Sequence, residues 1–228
     1  MFNAAAEFVV PIISGGKKRT VVRFPTDAEW CERTRRTKRL REQLGGGKTR
    51  FQGDLNWAEV SFDLFKKVNI GPCEIVTEVI PEHVDSATGA LVPKVEVWGP
   101  CEDFDQAEAV NVLGRISRWD MTRISRNGDG YRIEAKVAGA RVAYILRIPT
   151  QKESQTYWKE VRPPGIQTGN NESVRIFLEP CGELFDKVAK STEGYEGSAP
   201  IVHKDMAVTE LLNEVNRLAE QLDDDPEV

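Results

Sequence analysis

The sequence predicts an α+β protein built from two related halves, and three recurrences carry that prediction. The stretch from Gly15 to Thr26, ending Arg23-Phe24-Pro25-Thr26, recurs from Gly139 to Thr150, ending Arg147-Ile148-Pro149-Thr150, at a fixed offset of 124. Leu64-Phe65-Lys66-Lys67-Val68 recurs as Leu184-Phe185-Asp186-Lys187-Val188 at an offset of 120. The stripe Ala109, Val112, Leu113, Ile116 recurs as Val208, Leu211, Leu212, Val215 at an offset of 99. Blocks kept in order while their offsets drift are what a duplicated unit leaves once its loops diverge.

Each half opens on a β-hairpin. Phe8 to Ser14 turns at Gly15-Gly16 into Arg19 to Phe24, and Tyr131 to Val137 turns near Gly139 into Val142 to Ile148. Each second strand ends at a proline, which cannot donate to a ladder and holds its predecessor extended. Threonine then caps a helix, and the glutamate three places on completes a capping box: Thr26 with Glu29, Thr150 with Glu153. The first of these helices is expected to run from Asp27 to Leu44. The last helix of each half keeps its apolar stripe on one face, because spacings of three and four share a side of a 3.6-residue turn.

The drop in offset from 120 to 99 places an insertion at 69–100, which reads as a hairpin. Cys73 to Ile80 and Val92 to Trp98 flank the loop Asp85-Ser86-Ala87-Thr88-Gly89, and Pro93 puts its strand at a sheet edge. The expected division is 1–119 for the first half, 120–222 for the second and 223–228 for an acidic tail. Arg118-Trp119-Asp120-Met121 offers no flexible linker, so the halves are expected to pack together.

With 228 residues, 40% hydrophobic and 29% charged, the chain has enough apolar surface to offset the entropy of ordering. No apolar run reaches the roughly 20 residues of a membrane span, and Met1 to Glu7 lacks a basic flank before an apolar stretch. A cytoplasmic setting is therefore expected. Net charge is unevenly spread: +7 over residues 1–50 and −12 over the remainder. The four cysteines, Cys31, Cys73, Cys101 and Cys181, form no C-x-x-C pair, so they are expected to be core hydrophobes rather than metal ligands. Disulfides would require an oxidising compartment.

Arg33, Arg35, Arg36, Lys38, Arg39 and Arg41 give the expected helix 27–44 its basic character. They are the candidate partner-binding residues, for an acidic protein surface or for phosphates; a solvated helix laced with pairs such as Glu32–Arg36 is the alternative. Gly45-Gly46-Gly47-Lys48-Thr49 is not a phosphate loop, because the G-x-x-x-x-G-K-[ST] spacing needs glycine where Glu42 stands. It is expected to cap the helix instead. His83 and His203 are the histidines, one in a predicted loop and one just before the last helix, and no serine sits in a G-x-S-x-G elbow. The residues thus point to a non-enzymatic protein without cofactor. Trp30 is the single aromatic of the basic helix, which supports base stacking poorly, and nucleic-acid binding stays an alternative.

The junctions Arg23-Phe24-Pro25-Thr26 and Arg147-Ile148-Pro149-Thr150 resemble those of small tail assembly chaperones of tailed bacteriophages. The resemblance covers about 30 residues of each half, and those chaperones usually carry one such unit rather than two. It implies binding of tape measure or tail-tube proteins during tail assembly, with a structural role in the tail or virion as the alternative.

Overall fold

A computed structural model describes residues 1–13, 17–44, 48–54, 56–101, 104–161, 167–168, 172–174 and 178–223. The fold is α+β. The first half comprises β1 (Glu7–Ile13), β2 (Lys17–Arg23), α1 (Asp27–Arg36), β3 (Lys38–Leu44), β4 (Lys48–Asp54), α2 (Trp57–Val68), β5 (Glu74–Ile80), β6 (His83–Val84), β7 (Leu91–Val92), β8 (Val95–Pro100) and α3 (Gln106–Ile116). The second comprises β9 (Trp119–Asn127), β10 (Gly130–Val137), β11 (Ala140–Arg147), α4 (Gln151–Val161), β12 (Gln167–Thr168), β13 (Glu172–Val174), α5 (Leu178–Val188), β14 (Ala189–Glu193) and α6 (Ile201–Asp223).

Each half has its own antiparallel sheet, ordered β1-β2-β5-β8 in the first and β14-β11-β10-β9 in the second. A third sheet, β12-β13-β3-β4, joins one hairpin from each half. Inner faces of the first two sheets are covered by helices: α3 lies on β1 and α2, while α6 lies on β10 and α5. Alternation does the sorting. Tyr131, Ile133, Ala135 and Val137 are buried on β10, with charged Arg132, Glu134 and Lys136 between them on the other face. The predicted helical stripes are core: Ala109, Val112, Leu113 and Ile116 in α3, and Val208, Leu211 and Leu212 in α6, with Val215 packed alongside.

The two halves repeat one set of contacts at matching positions. Arg23 donates to both Glu29 carboxylate oxygens (2.8 and 2.6 Å) and to the Lys67 carbonyl (3.3 Å). Arg147 does the same to Glu153 (2.8 and 2.6 Å) and to the Lys187 carbonyl (3.0 Å). Both capping boxes are made, with the Thr26 N–H 2.9 Å from Glu29 Oε2 and the Thr150 N–H 2.8 Å from Glu153 Oε2. Val22 bridges Asn69 as Leu146 pairs with Ala189, and Phe8 faces Val22 as Tyr131 faces Leu146. The second hairpin turns on Ala138 (φ 45°) and Gly139 (φ 87°), the left-handed pair a two-residue turn of this twist requires. The first turn, at Ser14 to Gly16, lies outside the described residues.

Four expectations change. The helix from Asp27 ends at Arg36, not Leu44: Thr37 turns extended (φ −74°, ψ 118°), and Lys38–Leu44 is β3, paired with both β4 and β13. Leu44 is a strand residue, so the glycine run caps no helix; Gly45, Gly46 and Gly47 themselves lie outside the described residues. Glu32 does not pair with Arg36: it accepts from Lys67 (3.1 Å), while Arg36 reaches Asp63 (2.6 Å). The last helix starts at Ile201, which places His203 inside it, and it ends at Asp223, with the rest of the acidic tail outside the described residues.

Replacing Thr26 or Thr150 with alanine removes the hydroxyl that accepts from the third helical N–H, and each should lower stability by about 1 kcal/mol in urea denaturation. Because the two junctions share no partner, the double variant should lose about the sum.

Candidate protein-binding surfaces

The predicted basic residues do not form one free cationic face. Arg33 donates to Ser61 Oγ (3.0 and 2.9 Å) and lies over the Trp30 ring. Arg35 pairs with Glu179 of α5, and Arg36 with Asp63 of α2. These three guanidinium groups therefore tie α1 to its neighbours. Lys38, Arg39 and Arg41 are separated from them by the break at Thr37 and belong to β3.

The insertion at 69–100 is more conspicuous. β5 and β8 pair from Glu74–Pro100 out to Ile80–Val95, but among the described residues β2 meets β5 only at Ile75 and Glu74. Beyond that point a two-stranded ribbon continues, tipped by β6 and β7 and the Asp85 to Gly89 turn, where Asp85 Oδ1 accepts from the Ala87 N–H (2.7 Å). Val79, Ile80, Val84, Leu91, Val95 and Val97 are all exposed on it, Val84 and Leu91 by more than 60%. A bulge between Val76 and Glu78 interrupts the register. A ribbon of two strands is marginal in water, and exposed apolar strands with free edges are templates for pairing.

The base of this arm corrects the cysteine expectation. Cys31 and Cys181 are buried thiols outside any disulfide, as expected of core side chains, and burial raises the Cys31 pKa to about 11. Cys73 and Cys101, however, are joined by a disulfide across a Cα–Cα distance of 5.6 Å. Antiparallel pairing forces the meeting, since Glu74 faces Pro100 and the cysteines sit one step outside that pair. The visible signal was their symmetric placement around the predicted hairpin.

The halves meet at an aromatic cluster that sequence reasoning missed. Phe2 is buried between Phe24 (5.4 Å between ring centres), Tyr195 (5.7 Å) and His203 (5.1 Å). Its N–H donates to the Gly194 carbonyl (2.7 Å), and its carbonyl accepts from the Glu196 N–H (2.8 Å). His203, fully buried, shares a hydrogen bond with the Tyr195 hydroxyl through Nδ1 (3.1 Å), and Tyr195 in turn meets Tyr144. The His203 Nε2 has no hydrogen-bond partner among the described residues. Desolvation lowers the imidazole pKa from 6.5 to about 4 and pushes both tyrosines up. At neutral pH the ring is uncharged and serves as a core group.

An open cavity of about 460 Å³ lies on the outer face of the second sheet, lined by Thr122, Arg132, Glu134, Lys136, Arg141 and Glu193 among others. Its central cation is already held by acids: Arg132 binds both Glu193 oxygens (2.7 Å each) and Glu134 (2.9 Å). Among the described residues, no group of three or more acidic, histidine or cysteine side chains converges as a metal site would need, and no helix is long and apolar enough to cross a membrane.

Two measurements check these assignments. Stability followed from pH 8 downward should fall by roughly 3 kcal/mol as pH passes from 6.5 to about 4, because the unfolded state then takes up a proton that buried His203 refuses. A second loss should follow below 4.5, as Glu29 and Glu153, held near 2 first by their arginines, become protonated. His203→Leu should abolish the first slope and keep the second. Reducing the Cys73–Cys101 bridge, which spans a sequence separation of 28, should speed proteolytic cleavage within 74–100 while leaving cleavage elsewhere unchanged.

No family model, no curated protein and no solved structure matches the chain.

Proposed function

We propose that this chain is a non-enzymatic bacteriophage protein that assists tail assembly by binding other tail proteins, tape measure or tail-tube subunits, through its hairpin arm. One observation carries the reading: a two-stranded ribbon with six exposed aliphatic side chains projects beyond its sheet and is fastened at its base by a covalent bridge. Such a ribbon is suited to adding strands to, or receiving strands from, another chain, with main-chain bonds giving affinity and the valines and leucine filling apolar pockets. The resemblance of the two Arg-x-Pro-Thr junctions to those of tail assembly chaperones points to the same partners.

A second reading, a component that stays in the tail or virion, is favoured by the Cys73–Cys101 bridge. Disulfides are rare in the cytosol and persist on particle surfaces. The nucleic-acid alternative loses support because Arg33, Arg35 and Arg36 already bond to Ser61, Asp63 and Glu179.

The test is affinity capture from nuclease-treated, phage-producing cells, with proteins identified by mass spectrometry, beside the variant Val79→Asp/Leu91→Asp. Tail-tube or tape measure proteins should co-purify with the native chain and be lost from the variant. Presence of the chain in purified particles would select the structural role, and absence the chaperone. Capture of nucleic acid alone, with affinity falling steeply in salt, would overturn the proposal.

A further inference from the structure

The contacts between the two halves are not reciprocal. Half one presents α1 and β3; half two receives them on α5, α6 and β13. Arg35 of α1 pairs with Glu179 of α5, Cys31 lies against the same carboxylate, and Asp27 Oδ1 accepts from the Ile201 N–H at the start of α6 (2.8 Å). In the shared sheet, β13, the second strand of its hairpin, pairs with β3, the first strand of the other. A two-fold arrangement would pair first with first or second with second. This one runs head to tail.

A head-to-tail contact leaves one complementary face open at each end. The positions that match α1 and β3 are on α4 and β12, and those that match α5, α6 and β13 are on α2, α3 and β4. Both β12 and β4 are edge strands of their sheet. On α1, Cys31 and Thr34 are buried; their counterparts on α4 are Gln155, exposed, and Trp158, 37% exposed. The charges also correspond: Arg35 matches Lys159 at offset 124, Glu179 matches Glu59 at offset 120, and both Lys159 and Glu59 are exposed. Trp57, 44% exposed, opens α2 beside Glu59.

We propose that a second copy of this chain repeats the internal contact between chains, α4 and β12 of one copy docking on α2, α3 and β4 of the next, with Lys159 paired to Glu59 in trans. The inference rests on reading the two halves as one repeated unit, and it is independent of the tail proteins proposed above. Since the contact joins unlike faces, copies add in one direction, closing into a ring where the rotation per copy allows and extending as a filament where it does not.

The test is sedimentation velocity of the purified full-length chain over a wide concentration range, with Lys159→Glu and Glu59→Lys. The native chain should grow in mass with concentration. Each reversal should raise the dissociation constant roughly ten-fold, while an equimolar mixture of the two, and the double variant, should recover native association. Thermal melting by circular dichroism checks that each variant is folded. A chain monomeric at every concentration would overturn the proposal. So would an assembly indifferent to both reversals, or one abolished by Val79→Asp/Leu91→Asp alone, which would assign self-association to the arm.

Discussion

The guanidinium at the end of each hairpin is the contact on which the rest of the architecture depends. Arg23 and Arg147 each close a bidentate pair with the glutamate of a capping box and also reach the last turn of the helix after the capped one, at Lys67 of α2 and Lys187 of α5. One planar group thereby fixes a strand end, a helix start and a helix end relative to one another. Lysine could not reproduce this, since the five donors of arginine sit in a fixed fork. The carboxylates respond accordingly: the arginine hydrogen bonds, with the threonine bonds behind them, hold Glu29 and Glu153 near 2. What looks in the sequence like a four-residue signature is the hub of each half.

Around these hubs the core fills in a regular way. Tyr157 on α4 meets Cys181 on α5 (3.4 Å) at the positions where Arg33 on α1 meets Ser61 on α2. The same backbone arrangement thus holds an aromatic contact in one half and a charged one in the other. Tyr157 and Cys181 are buried there, whereas Arg33 is half-buried. The third sheet ties the halves through backbone hydrogen bonds, and the Phe2 cluster ties them through aromatic rings.

Local rules made much of this legible. Both hairpins, both capping boxes, the inserted hairpin and the buried stripes of α3 and α6 were readable, because each is set by periodicity or by a residue with one strong conformational preference. The strand β3 was not. Lys38-Arg39-Leu40-Arg41-Glu42-Gln43-Leu44 is composed of good helix formers with leucines four apart, which is a helical signal. It becomes a strand because Thr37 breaks the helix and because β13, more than a hundred residues away in sequence, supplies hydrogen-bond partners. The disulfide and the His203 cluster were hidden for a similar reason, since each joins groups that only tertiary pairing brings together.

Phe2 carries a consequence for synthesis on the ribosome. Its backbone bonds to Gly194 and Glu196, and its ring, beside Phe8 and Phe24, is closed over by Tyr195 and His203, which follow it in the chain by almost the whole length of the fold. The first half can form its hairpin and helices while the remainder is still being translated, but it must do so with Phe2 and one side of Phe24 open to solvent. Vectorial folding therefore leaves an apolar seat vacant while the roughly 200 residues between Phe2 and His203 are made, about ten to forty seconds at ordinary elongation rates. That interval is when the nascent protein is most exposed to holdases, and a truncated product ending before α6 would carry the same unfilled seat permanently.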